Sequence, residues 1–211
     1  MKKRKLILRF MLLFIIFIVL STLHVCSGGL ISPMPYLQLD FFSGKVLDTT
    51  TKEPIKGAAV LAVYQKEASS VAGAMTWDVD AQETLTDENG EFKIPRKKRW
   101  FALYRGSSEG YLMIFKPGYG LFPDHKLSDA IGENKGWPTP KKYIVYELPK
   151  LETKEERLRN VFDTEIKYEL PYNKQTIIIN NVNTEFKNLE LLDRYIEKGG
   201  KPILSIEEES K

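Results

Sequence analysis

The chain has one cysteine, Cys26, and two histidines, His24 and His125, among its 211 residues. A single cysteine excludes an intrachain disulfide. This supply of Cys and His is too small for a structural zinc site, which takes four such ligands, and no His-Glu-x-x-His string occurs. Strong charge of one sign is lacking as well. Residues 1–26 hold Lys2, Lys3, Arg4, Lys5 and Arg9 and no acid; without those five, 26 basic residues stand against 28 acidic ones. A body near −2 gives no reason to expect a nucleic-acid partner. Heptads, internal repeats and the strand–helix alternation of parallel α/β sheets are also missing.

What is present begins with an export signature. Met1–Lys5 is a basic stretch, Phe10–Leu20 is an uninterrupted apolar run too short to span a bilayer alone, and small or weakly polar residues follow from Ser21 to Ser27. Three readings stand for residues 1–27. They are a cleaved secretory signal, an uncleaved anchor running from Leu6 to Val25 with Arg9 at the cytoplasmic interface, or a lipoprotein acylated on Cys26. Leu23-His24-Val25-Cys26 is like a lipobox in its leucine and cysteine, but has Val25 where a small residue is usual. Each reading makes the N-terminal segment a membrane contact and puts the body outside the cytoplasm, in the periplasm or envelope. Residues 28–41, with Gly28, Gly29, Pro33 and Pro35, read as a linker.

Residues 42–150 read as mainly β. Strands are predicted at Phe42–Asp48, Ala58–Tyr64, Glu83–Asp87, Glu91–Ile94, Trp100–Tyr104, Tyr111–Lys116 and Tyr143–Leu148, from alternation, β-branched content and bounding turn residues. Asn89-Gly90 is a two-residue hairpin signal. Residues 65–81 and 117–142 read as long loops. The count, about seven short strands, predicts an antiparallel two-sheet sandwich of the immunoglobulin-like kind.

Four blocks carry a family resemblance: Gly44-x-Val46-x-Asp48, Thr51-x-x-Pro54-Ile55-x-Gly57-Ala58-x-Val60, Thr86-Asp87-x-x-Gly90-x-Phe92 and Lys116-Pro117-Gly118-Tyr119. In this order they resemble the carboxypeptidase regulatory-like domain, over roughly residues 42–149. The resemblance implies a transthyretin-like seven-stranded sandwich, common in exported bacterial proteins, serving as an accessory module without catalytic residues. The segments 65–81 and 117–142 are longer than the family's usual connections.

Residues 151–211 read as a helical extension. Thr153-Lys154-Glu155-Glu156 is a capping box, with Leu158, Val161 and Phe162 on one helical face. Thr176–Ile179 reads as a strand fit to pair with a sandwich edge. Glu185–Lys198 reads as a second helix, with Phe186, Leu189, Leu192 and Ile196 on one side and Gly199 as terminator; Glu207–Lys211 reads as a frayed tail. The extension is either a cap on the sandwich or an arm that docks a partner in an assembly.

Candidate sites are few. Gly106-Ser107-Ser108-Glu109-Gly110 matches the nucleophile-elbow string, but a strand rather than a helix is predicted after it, and His125 is the one histidine of the body. A Ser108–His125 hydrolase is therefore the least favoured reading. Asp78, Asp80, Glu83, Asp87, Glu88 and Glu91 offer oxygens to calcium without EF-hand spacing, and read more simply as a solvated face. No catalytic residue, metal or cofactor is assigned. Arg96, Lys97, Lys98 and Arg99 form a basic loop suited to anionic lipid, polysaccharide or cell-wall polymer, or to ion pairs with the preceding acids. Trp77, Tyr119, Phe122 and Trp137 stand in the long loops as a stacking surface for an envelope sugar or peptide, or as cover for a sheet face.

Overall fold

The computed structural model describes residues 36–70, 73–100, 108–133, 142–164 and 170–190. The chain forms two compact units; Met1–Pro35 with Ala102–Arg105 lies outside the described residues, and every element below belongs to the other unit. In chain order these are β1 (Tyr36–Leu39), β2 (Phe42–Asp48), β3 (Ala59–Ser70), β4 (Gly73–Leu85), β5 (Glu91–Ile94), β6 (Lys97–Trp100), β7 (Ser108–Phe115), β8 (Asp129–Ala130) and β9 (Tyr143–Leu148), followed by helices α1 (Lys154–Phe162) and α2 (Thr176–Asn188), with a 3-10 turn at Tyr172–Lys174. The fold is mainly β.

β2 alternates buried and half-buried residues along its whole length, the period of a strand with one face on a core. It pairs antiparallel with β5 and parallel with β9, and β8 extends the sheet beyond β9. Close approach to β9 requires Gly44, since a Cβ there would lie 2.2 Å from the Ile144 carbonyl oxygen. β3 reads differently. From Ala58 to Tyr64 no residue is more than 1% exposed, because β3 is central in the sheet β4-β3-β7 and that sheet is covered on both faces. Val60, Ala62 and Tyr64 meet Phe42, Val46, Ile144 and Tyr146 of the four-stranded sheet. Ala59, Leu61 and Val63 meet Val161, Ile178, Ile179 and Val182 of the helices. Each fully buried Val, Leu, Ile or Phe side chain here contributes about 1.5–3 kcal/mol of transfer free energy.

Several expectations change. Pairing of β2 with β9 is parallel, so the four-stranded sheet is mixed rather than antiparallel. Residues 65–81 are not a loop: β3 and β4 stay paired from Ala59↔Leu85 to Ser70↔Gly73, with one irregularity at Tyr64/Gln65. Their small residues carry no packing signal, but consecutive antiparallel strands satisfy each other's backbone groups. The Asn89-Gly90 turn forms, with Gly90 at φ +72 and Asp87 Oδ1 accepting from the Asn89 and Glu91 amides. It joins no hairpin, because β4 pairs with β3 while β5 pairs with β2. It is a corner between sheets, pinned by Thr86, whose hydroxyl donates to the Ile55 carbonyl at 2.6 Å and accepts from the Ala58 amide at 2.8 Å.

The linker ends sooner than predicted: β1 lies within it, Leu39 is fully buried, and β1 pairs with β6 in a two-stranded ribbon. The strand expected at Trp100–Tyr104 is β6 at Lys97–Trp100, and residues 101–104 lie outside the described residues. The predicted loop 117–142 contains β8 and backbone bridges from Phe122 to Ile114 and from Tyr119 to Lys150.

Thr176–Ile179 opens α2 instead of forming a strand. Its four residues are β-branched, but Ile178, Ile179, Val182 and Leu189 recur at helical spacing on one core. α2 then ends at Asn188, before the predicted helix Glu185–Lys198 is complete, with Glu190 at φ 56 in the left-handed region that follows many helices. Leu192, Ile196, Gly199 and the Glu207–Lys211 tail lie outside the described residues. Among the described residues no helix is long and apolar enough to cross a membrane.

Candidate functional site

Helix α1 is placed by its own cap and by two polar side chains. Thr153 Oγ1 accepts from the Glu156 amide at 3.2 Å, with Glu155 and Glu156 in the first turn, where the helix dipole favours acids. Asn160, 5% exposed, accepts from the Leu121 amide at 2.7 Å and donates to the Tyr119 carbonyl at 3.0 Å. Arg157 forks onto Glu185 of α2, with both bonds at 2.7 Å. That fork raises the Arg157 pKa further above its usual range, against the opposing effect of its partial burial. Glu185 is 1% exposed and also accepts from the Gly118 amide, so one buried carboxylate ties α1, α2 and the Pro117-Gly118 turn.

Held this way, α1 and the segment 121–126 enclose an open cleft of about 230 Å³. Asp124, Glu156 and Asp163 bring carboxylates to it, and His125, Lys126 and Arg159 bring nitrogen donors, above Leu121 and Asn160. The His125 amide donates to the Leu121 carbonyl at 2.8 Å, and its Nδ1 accepts from the Leu127 amide at 3.3 Å. Its ring lies against the backbone of Gly120, where a Cβ would come within 2.7 Å of Cγ. The cleft is smaller than the roughly 300–1,000 Å³ of drug-sized ligand pockets. Its mixed charge suits a small ligand of both signs or a charged side chain of a partner. The lining holds no serine, threonine or cysteine. Sequence reasoning missed Asp124, Lys126, Glu156, Arg159 and Asp163. The signal was the spacing 156, 159, 163 on the helical face opposite Val161, which reads as ordinary solvated surface.

Among the described residues the predicted aromatic surface does not assemble. Phe122 is fully buried, edge-on to Tyr146 at 5.1 Å between ring centroids, and Tyr119 packs half-buried on the same core. Their bridges to Ile114 and Lys150 draw both inward. Trp77 is half-buried on β4, opposite Lys66, while Phe122 is level with Val60 through Ile114. Six residues along β3 separate the two levels, roughly 20 Å. Trp137 lies outside the described residues, as does Cys26.

Ser108 and His125 are similarly apart. Ser108 opens β7 opposite Lys66, and a strand follows it instead of a helix, whereas His125 lies three residues beyond Phe122 at the other end of β7. Of the acidic group, Asp80 is 3% exposed and meets Lys174 at 3.2 Å. Glu83 accepts from the Ile177 and Ile178 amides at the start of α2. Burial pushes the Glu83 pKa up, and those amide bonds partly oppose the shift. These two carboxylates hold the helical layer and do not form the solvated face predicted for them. Among the described residues no three His, Cys, Asp or Glu side chains converge as a metal site requires. Lys97, Lys98 and Arg99 of the basic run lie in strand β6 rather than a loop, with Arg96 just before it; Arg96, Lys97 and Lys98 are exposed and Arg99 is opposite Leu37.

No protein-family model matches the chain, and no curated protein matches it. Among solved structures it is similar to a 9R-lipoxygenase from Cyanothece PCC8801, at 14% identity and a TM-score of 0.24. That likeness covers 77% of this chain and 25% of the lipoxygenase, so the chain spans about a quarter of that protein's length. A likeness of this size carries no argument about fold or activity.

Proposed function

We propose that the chain is an exported, non-catalytic module of the carboxypeptidase regulatory-like kind, a seven-stranded transthyretin-like sandwich capped by its C-terminal helices. In this reading it binds or scaffolds at the cell envelope, with a polysaccharide or protein as partner. The observation that carries it is where the resembling blocks fall. Three of the four occupy corners where the chain leaves one sheet for the other: Thr51–Ala58 between β2 and β3, Thr86–Gly90 between β4 and β5, and Lys116–Tyr119 between β7 and β8. Their polar groups are engaged in backbone geometry, as where Asp87 Oδ1 accepts from the Asn89 and Glu91 amides. Mass spectrometry of the mature N-terminus from fractionated cells tests the location. The reading expects a truncated chain outside the cytoplasm, or a membrane-bound chain that is retained whole or acylated at Cys26. A soluble cytoplasmic chain with residues 1–27 intact sinks it. Labelling by a serine-directed probe, lost in Ser108→Ala, removes the non-catalytic part.

A second reading, an assembly subunit that docks a partner through its C-terminal helices, draws on one observation. Phe162 ends α1 at 63% exposure and stacks edge-on against Phe186 of α2 at 6.0 Å, leaving an aromatic surface open to solvent. A chain cut after Pro149 that stays folded and keeps its partners rules this reading out.

A further inference from the structure

The β1–β6 ribbon is built from two acid-free stretches. Residues 1–39 contain no acid, and residues 92–108 contain six basic residues and none that is acidic. The ladder sets them side by side in the register Tyr36↔Trp100, Leu37↔Arg99, Gln38↔Lys98 and Leu39↔Lys97. At one end the ribbon is rooted in the body, since Leu39 is fully buried and the Arg96 guanidinium lies 5.9 Å over the Phe41 ring. The other end, Tyr36 with Trp100, is where the chain arrives from its N-terminal segment. Only residues 28–35 lie between that segment and Tyr36, a reach of at most about 30 Å.

We propose that this ribbon is a membrane foot whose cations bind the phosphates of anionic lipid headgroups. The inference rests on the membrane-bound form of the reading above and adds its contact surface. Whatever holds residues 1–27 at a bilayer keeps β1 within the linker's reach of it, and β1 carries β6 along by backbone pairing. The sequence of residue types up the ribbon is that of a bilayer interface. The aromatic pair Tyr36 and Trp100 comes first, of the types enriched at headgroup level, and Arg99, Lys98, Lys97 and Arg96 follow, of the types drawn to an anionic surface. Arg96, Lys97 and Lys98 are exposed, in a stretch of sequence without acids. The same cations offered to a soluble polymer give no reason for their pairing with the strand that follows the apolar segment.

The test uses the full chain in vesicles of phosphatidylcholine alone, or of phosphatidylcholine mixed with phosphatidylglycerol. Vesicles are floated, treated with an amine-acylating reagent and read by mass spectrometry at Lys97 and Lys98, with exposed Lys150 and Lys154 as internal references. Acylation at Lys97 and Lys98 is expected to fall several-fold in the anionic vesicles only, to recover in high salt, and to leave the references unchanged. Equal acylation in both lipids on floating vesicles overturns the foot and leaves the envelope reading standing. A chain that floats with neither vesicle overturns both. Protection by a soluble anionic polysaccharide, with none from phosphatidylglycerol, overturns the lipid assignment in favour of a polymer.

Discussion

The three-stranded sheet is covered by a second sheet on one face and by helices on the other, and the two covers are held by different means. Against the four-stranded sheet the contacts are apolar and aromatic. Phe122, bridged to β7, packs on Tyr146 with centroids 5.1 Å apart, and Phe42 packs on Tyr64 at 6.2 Å. Against the helices an apolar core is joined by carboxylates: Glu83 on the first amides of α2, Glu185 in the fork of Arg157, and Asp80 beside Lys174. Hydrophobic burial is non-directional. The corner bonds of Thr86 and Asp87 already limit how the two sheets meet, so burial suffices between them. A helix can still rotate or slide on a sheet, and charge-assisted hydrogen bonds supply the missing direction.

Truncation of each core tests this contrast most strongly. Leu112→Ala on the sheet side and Ile179→Ala on the helix side are each expected to cost about 2–5 kcal/mol in urea unfolding. One shared transition is expected in both; a separate early transition in Ile179→Ala alone breaks the picture of helices bound into the fold. Next comes direction. Arg157→Ala leaves Glu185 buried without its cation and is expected to cost about 3 kcal/mol, whereas Lys56→Ala, which removes an exposed partner of Glu88, costs less than about 1 kcal/mol. Similar losses in the two variants remove the special role of the fork. At the corner between sheets, Gly90→Ala forces a side chain into φ +72, with its Cβ 2.5 Å from the Val46 carbonyl oxygen. A loss of about 1–2 kcal/mol is expected from the backbone conformation alone, read from the same urea midpoints.

The smallest effect is a pH slope. Burial raises the Glu83 pKa above the ordinary carboxylate value of 4.5. Between the unfolded pKa and this raised native one, the native state binds more protons than the unfolded chain. The Glu83 contribution to stability therefore falls as pH rises through that window, and is regained on acidification. The difference in urea midpoint between wild type and Glu83→Gln should shift against the wild type as pH climbs above about 4.5. Parallel curves show that Glu83 does not titrate as its burial demands.

Legibility in the sequence follows the range of the interaction. Phe42–Asp48, Glu91–Ile94 and Tyr143–Leu148 are read at their observed bounds, because one buried face writes a period of two into the side chains. Thr153 is read as a cap because capping spans only three residues. Thr176–Ile179 is misread, since the acceptor that opens its helix, Glu83, lies 94 residues away. Phe122 resembles a loop aromatic because its neighbours are Gly120 and Pro123, and its bridge to Ile114 writes nothing local. The cleft is hidden for the same reason. Asp124 and His125 meet Glu156, Arg159 and Asp163 only after Asn160 docks α1 onto the loop.

By itself, then, the sequence determined the mainly β character, the corner turns and the cap of α1, all set by neighbours within a few residues. Tertiary structure alone decided that β2 runs parallel to β9, that the Asn89-Gly90 turn divides two sheets, and that β6 lies against β1. It also decided that Asp80 and Glu83 are partners of a cation and of helix amides instead of a solvated acidic face. The physical reason is that side-chain period and turn chemistry bias each segment locally, while pairing and burial depend on groups brought together from distant parts of the chain.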